Sequence, residues 1–308
     1  MKSPLLVQIK EKEDMKAILF VLAGSCSYGI LSTIVKISYS KGFGVENVIG
    51  SQMLIGAVLL WVLNLFCKRN RLTWKQKMKL IAVGCFTFST SVLYYNALKT
   101  IPASIAIVLL FQFTWMGILL ESIFAKKRPS ARYVVSALFL LGGTVLAGAL
   151  IEGKGLQLDP KGIVLGLLAA LSFALFIFSS GKVEVSVPPI QRSAYMSIGA
   201  VVLTFIVLQP TFVFNGDLGE GLWLWGSMLG LFGACLPPLL FALGMPKVDP
   251  GIGSILGAAE LPTAVICSGI FLHESISPLQ WTGLILIFVG IAYPQFKGIT
   301  KTKIRQQM

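Results

Sequence analysis

Charge is scarce in this chain. Of 308 residues, 13 are acidic, one is histidine, and charged residues make up 13% of the whole. A soluble domain carries about 25%, so these charges are too few to solvate a globular surface. Catalytic signatures are missing as well. There is no GxxxxGK[ST] phosphate loop and no Ser in a GxSxG elbow, and His273 with the scattered acids gives no metal-ligand spacing. An ATP-driven pump, a membrane-embedded hydrolase and a metalloenzyme are thereby disfavoured. The chain reads as a non-enzyme that needs no metal and no cofactor. Long polar linkers are absent too, and the longest connections, near 151–161 and 211–221, leave no room for a soluble domain. The five cysteines, Cys26, Cys67, Cys85, Cys235 and Cys267, have no paired spacing and read as free thiols. A cleavable leader is not expected, because charges run to Lys16 and no small-x-small site follows before Lys36.

What is there is apolar. Hydrophobic residues make up 55% of the chain. They gather in ten segments, at 17–37, 45–66, 78–98, 102–124, 132–150, 162–181, 188–209, 222–245, 250–272 and 278–296. A membrane crossing takes ~20 apolar residues, so the pattern predicts an all-α membrane protein of ten transmembrane helices. With the N-terminus inside, all 26 Lys and Arg except Lys36, Lys41, Lys99, Lys154 and Lys161 fall on inner stretches. That asymmetry is the positive-inside signal. It accounts for the net charge of +13 without nucleic acid and places both termini in the cytoplasm.

The halves repeat. A shift of 148 residues carries Lys99 onto Lys247, Pro102 onto Pro250, Gln112 onto Glu260 and Gly142 onto Gly290. Earlier in each half, Ser27–Gly29 resembles Ser172–Ala174, and Lys36 resembles Lys182, at an offset two or three residues shorter. Five helices per half is an odd number, so the second copy enters from the opposite side. Inverted repeats of this kind place a substrate site at their interface near the midplane. The expected layout is a 1–14 cytoplasmic segment, a first repeat over 15–150, an external connection over 151–161, a second repeat over 162–296, and a basic tail over 297–308.

One segment, 250–272, carries a single acid at depth. Glu260 lies roughly 15 Å past Pro250 at ~1.5 Å rise per residue, near the middle of a ~30 Å hydrocarbon core. A carboxylate there costs several kcal/mol and usually faces a bundle interior or a water-filled cavity. It is the candidate proton carrier or amine ligand, against the alternative of an interhelical hydrogen bond. Gln112, at the matching position, reads as a substrate contact or as helix–helix glue. Trp115 reads as an aromatic wall or packing, and Tyr94, Tyr95 and Asn96 as the outer part of a cavity or an interfacial belt. Ser25, Tyr28 and Ser32 share one face of the first segment, and Ser172, Ser179 and Ser180 line the sixth less regularly. Pro262 removes a backbone donor beside Glu260, and Gly253 and Gly257 allow close packing. Bends are expected at Gly24, Gly29, Gly117, Pro237, Pro238 and Gly257. Glu121 reads as part of a surface charge cluster with Lys126–Arg128, His273 with Glu274 as an interfacial pair, and Lys36 as a snorkelling base.

The run YYNALKTIPASIAIVLLFQ at Tyr94–Gln112 and the run AAELPTAVICSGIFLHESISPLQWTGLILIFVGI at Ala258–Ile291 resemble the EamA type of the drug/metabolite transporter superfamily. The resemblance spans roughly residues 15–296. The family's Glu-Pro pair reads Glu260-Leu261-Pro262 here, and its Leu-Gly-Glu end reads Leu272-His273-Glu274. In the first half the matching acid is replaced by Lys126–Arg128. What the resemblance implies is ten helices, cytoplasmic termini and transport of small metabolites, often export, with amino acids and related compounds as the first guess. The expected mechanism is alternating access in the cell membrane by rocking of the two halves around a cavity, with proton coupling through Glu260. The partners expected are a small-molecule substrate and the lipid bilayer, in a monomer or a homodimer. A lipid or lipid-linked sugar translocase on the same fold is the alternative.

Overall fold

The computed structural model describes residues 4–98, 100–101, 103–147, 159–271 and 276–306. His273, Glu274 and most of the 151–161 connection lie outside them, as does the side chain of Ser32. Every regular element among the described residues is helical. Eight helical stretches are long and apolar enough to cross a membrane: Glu13–Ser40, Val45–Leu65, Trp74–Ala97, Ala106–Ala125, Pro160–Lys182, Pro189–Val207, Leu218–Lys247 and Gly251–Phe271. Two shorter apolar helices, Ala131–Ala147 and Pro278–Pro294, match the fifth and tenth sequence segments.

By element, the first repeat holds α1 (Pro4–Ser40), α2 (Val45–Leu65), α3 (Trp74–Leu98), α4 (Ala103–Leu110), α5 (Phe113–Ala125) and α6 (Ala131–Ala147). The second holds α7 (Pro160–Lys182), α8 (Pro189–Val207), α9 (Trp223–Leu229), α10 (Leu236–Gly244), α11 (Pro250–Gly257), α12 (Glu260–Phe271) and α13 (Pro278–Gln306). Three apolar segments that read as continuous are interrupted. The 102–124 segment breaks at Phe111–Gln112, and the 250–272 segment breaks at Ala258–Ala259. The 222–245 segment is divided by a π-type stretch at Gly230–Cys235, just before Pro237 and Pro238.

The repeats interleave. α3 packs on α7 and α8, α1 on α10 and α12, α2 on α8 and the π stretch, α5 on α7 and α11, and α6 on α13. Each of these contacts joins the first repeat to the second. The two halves that the expected mechanism rocks against one another therefore share most of their packing. Glycine makes this interleaving possible. A Cβ on Gly84 would collide with the Met196 carbonyl, and one on Gly199 with the Ile81 carbonyl, so α3 and α8 cross backbone to backbone. In a bilayer, close van der Waals contact of this kind drives helix association.

Two polar contacts fix helix ends. Arg192 is fully buried and donates to the carbonyls of Ser180 and Ala242 (3.1 Å), which tie α8 to the C-terminal ends of α7 and α10. Helix C-termini carry partial negative charge, which suits a guanidinium. Glu121 departs from the surface-cluster reading. Its Oε2 accepts from the Gly251 amide at 2.6 Å, beside the 3.1 Å bond from the same amide to the Asp249 carboxylate. A carboxylate on α5 thus caps the helix that leads to Glu260.

Two outcomes follow. Gly199→Ala lowers thermal stability by about 1–3 kcal/mol through overpacking at a backbone contact, whereas Gly142→Ala, whose Cβ meets nothing within 4 Å, changes it by less than about 1 kcal/mol. Glu121→Ala removes one of two caps on α11 and costs about 0.5–2 kcal/mol. Thermal unfolding in detergent measures all three variants.

Candidate functional site

The site forms where two helices stop. In the first repeat the Thr114 amide (3.2 Å) and hydroxyl (3.0 Å) both turn back to the Phe111 carbonyl, and the Gln112 amide bonds Leu109 at 3.1 Å. These are short i to i−3 bonds, which tighten and end a helical stretch. In the second repeat Pro262 has no N–H to give the Ala258 carbonyl, which accepts from Leu261 at 3.3 Å instead. The Ala258 and Ala259 amides likewise reach only three residues back, to Ile255 and Leu256. Different residues produce the same break at matching places in the repeats. Gln112 borders one break and Glu260 the other. α5 and α12 both begin there, so a positive dipole end stands at each break.

Glu260 is half-buried. Gly29 brings α1 directly against its backbone, since a Cβ on Gly29 would lie 2.5 Å from the Glu260 carbonyl oxygen and 2.6 Å from Cβ of Thr263. Tyr28 is the next residue along α1 from that contact. Glu260 is within electrostatic reach of the hydroxyls of Tyr28, Tyr94 and Tyr95. Tyr94 and Tyr95 lie with ring centres 6.1 Å apart, on α3. Behind Tyr28 stands an aromatic wall. Its ring meets Phe173 edge-on at 5.8 Å and Phe241 at 6.1 Å, and Phe113 meets Phe173 at 4.8 Å. The group therefore joins one acid, three phenols and an apolar wall, contributed by both repeats.

The other candidates are placed as follows. Gln112 is half-buried and held locally, donating to the Val108 carbonyl at 2.9 Å and accepting the Trp115 indole N–H at 2.8 Å. Trp115 is exposed. The Asn96 amide donates to Val92 at 2.9 Å within its own helix. Ser25 is buried and donates to the Val21 carbonyl at 2.9 Å, while Ser172 donates to Phe86 at 2.9 Å and so bridges α7 to α3. A Cβ on Gly257 would press on the Phe113 ring and one on Gly253 on the Met245 side chain. Both accept a side chain from a neighbour rather than a helix backbone. Pro237 and Pro238 are buried at the start of α10, just after the π stretch.

Sequence reasoning missed the Phe113, Phe173 and Phe241 wall, because aromatic residues are scattered along every segment. It also missed Asn47. The Asn47 Oδ1 accepts from the amides of Thr211 (3.0 Å) and Phe212 (3.1 Å), and its Nδ2 donates to Asp217 at 2.6 Å. One side chain thus ties the start of α2 to the 211–217 connection. A polar residue at a predicted helix end was the available signal.

Comparison with known proteins agrees with this arrangement. The EamA-like transporter family model matches residues 15–149 and again 160–293, one match for each repeat. The uncharacterized transporter YwfM of Bacillus subtilis is 25% identical over 284 residues, covering 89% of this chain and 91% of its own length. The threonine/homoserine exporter RhtA of Escherichia coli K12 is 27% identical over 251 residues, covering 78% of each chain. A solved crystal structure superposes with a TM-score of 0.72 at 19% identity, over 89% of this chain and 97% of that one, which supports the fold. Paired helix breaks, two matched repeats and relatives named as transporters lead to one statement: this chain is a multi-pass membrane transporter, not an enzyme, and it belongs to the EamA-like transporter family.

Proposed function

We propose that this transporter exports a small amphipathic metabolite of the amino-acid class across the cytoplasmic membrane by alternating access, with both termini in the cytoplasm and ten crossings. The observation that carries the reading is the position of Glu260, at a helix break, half-buried, and within reach of Tyr28, Tyr94 and Tyr95. A zwitterion suits that group. Its ammonium meets the Glu260 carboxylate and the tyrosine faces. Its carboxylate is suited to the positive end of α5, beside Gln112, as broken-helix transporters arrange it. The apolar remainder lies on the Phe173 and Phe241 wall. The name of the RhtA relative favours threonine- or homoserine-sized side chains.

Glu260 also offers a proton site. Burying a carboxylate costs several kcal/mol unless it is paired or protonated. A carboxyl group that alternates between a proton and a substrate ammonium meets that constraint in every state. Proton and amine then compete for one group, which converts a proton gradient into outward amine movement.

Thermal-shift measurements on the purified protein with neutral amino acids should therefore show stabilisation by at least one ligand. Glu260→Gln should weaken that ligand about tenfold or more, the scale of one charge-assisted hydrogen bond. In proteoliposomes the wild type should respond to an imposed pH gradient and Glu260→Gln should not. Full gradient dependence in Glu260→Gln contradicts the coupling role.

A further inference from the structure

The densest charge of one sign stands between α2 and α3. Residues 66–79 hold six bases and no acid. Two of the six are engaged within the fold. Lys79 donates to the Glu184 carboxylate at 2.9 Å, and the Lys77 ammonium stands 6.0 Å from the centre of the Tyr195 ring. The other four, Lys68, Arg69, Arg71 and Lys75, are exposed and have no acidic partner among the described residues. A block of like charge repels itself and usually leaves a segment loose. Here the backbone is held. The Gln191 side chain on α8 is buried and grips both backbone groups of Asn70: its Oε1 accepts from the Asn70 amide at 3.0 Å, and its Nε2 donates to the Asn70 carbonyl at 2.9 Å. Thr73 and Gln76 close a capping box at the start of α3, with bonds of 3.0 and 3.3 Å. Gln76 also donates to Glu184 at 2.9 Å. The four bases are thus presented on an ordered connection that is tied to the second repeat.

The ends of this connection are apolar and bare. Phe66, just past α2, is 84% exposed, and Trp74, the first residue of α3, is 73% exposed. Both stand where a crossing helix meets the headgroup layer, the level at which tryptophan is enriched. We infer that the α2–α3 connection is a binding surface for anionic phospholipid, whose phosphates meet Lys68, Arg69, Arg71 and Lys75 while Phe66 and Trp74 enter the upper acyl chains. Clusters of about four to eight bases directly beside a membrane helix attract anionic lipids. Arginine adds a two-pronged hydrogen bond to phosphate. A soluble polyanion would meet the bases but not two rings at the ends of membrane-crossing helices. Because Asn70 is gripped by α8, a lipid held here stiffens a contact between the repeats and so stabilises the folded protein. The surface is independent of the role given to Glu260.

Purified full-length protein in a nonionic detergent is unfolded thermally with added phosphatidylglycerol, phosphatidylcholine or inorganic phosphate. Phosphatidylglycerol should raise Tm saturably by about 3 °C or more, and the other two should not. The combined Lys68→Gln, Arg69→Gln, Arg71→Gln and Lys75→Gln variant should need about tenfold or more phosphatidylglycerol for half the effect. A matched variant, Lys126→Gln, Lys127→Gln, Arg128→Gln and Arg132→Gln, removes the same charge from the α5–α6 connection and should stay within about twofold of the wild type. Gln191→Ala keeps every base but releases the grip on Asn70, and should also weaken the lipid effect. Equal shifts in the two charge variants would reduce the effect to net charge and overturn the proposal. So would equal Tm values in the two lipids, or a rise with inorganic phosphate that matches phosphatidylglycerol. Where Gln191→Ala fails to fold, the comparison of the two charge variants decides.

Discussion

A bilayer offers no water to an unpaired backbone group, and each one left unsatisfied in hydrocarbon costs several kcal/mol. Continuous helices meet this constraint by default. This chain departs from it at matching places in its two repeats, at Phe111–Gln112 and at Ala258–Ala259. Short i to i−3 bonds satisfy part of the interrupted backbone. Polar side chains border what is left: Gln112 returns to the Val108 carbonyl, and Glu260 stands at the start of α12. The same interruptions that must be repaired also place a polar group and a helix dipole end at each break. Site and fold are consequences of a single departure from regular helix.

Interleaving governs how such a site can open. Each repeat makes its main contacts with the other repeat, through glycines that allow backbone approach at Gly84, Gly199 and Gly29. A rigid-body exchange between halves would have to break those contacts together. The breaks and the stretch around Pro237 and Pro238 already lack regular helical hydrogen bonding and mark where the helices would bend under the proposed alternating access. Glu121 is well placed to transmit such bending. Its bond to the Gly251 amide links α5, which starts at one break, to α11, which ends at the other.

Much of the fold was legible in the sequence. The ten apolar segments, each read as a full crossing, correspond to eight long membrane helices and two shorter ones, and the 148-residue shift identified the repeats that the family comparison marks out separately. The shift also paired Gln112 with Glu260 before any helix break was visible. What sequence could not supply was packing direction. Periodicity is faint when nearly every residue is apolar, so it did not reveal that the halves interleave, that Glu121 faces α11 rather than Lys126, or that three phenylalanines on three helices make one wall. The breaks themselves were half visible: Pro262 announced one, whereas the other depends on Thr114 folding its hydroxyl onto its own helix, a choice no residue pattern dictates.

The proposed alternating access requires Gln112 and Glu260 to border one water-filled cavity that opens to each side in turn. Labelling of a Gln112→Cys variant by a membrane-impermeant maleimide, in a background with the native cysteines replaced, tests it most directly. The account predicts labelling that a transported amino acid slows from one face of oriented vesicles and speeds from the other. A thiol at this position that reacts from neither side, or equally fast with and without ligand, would contradict it.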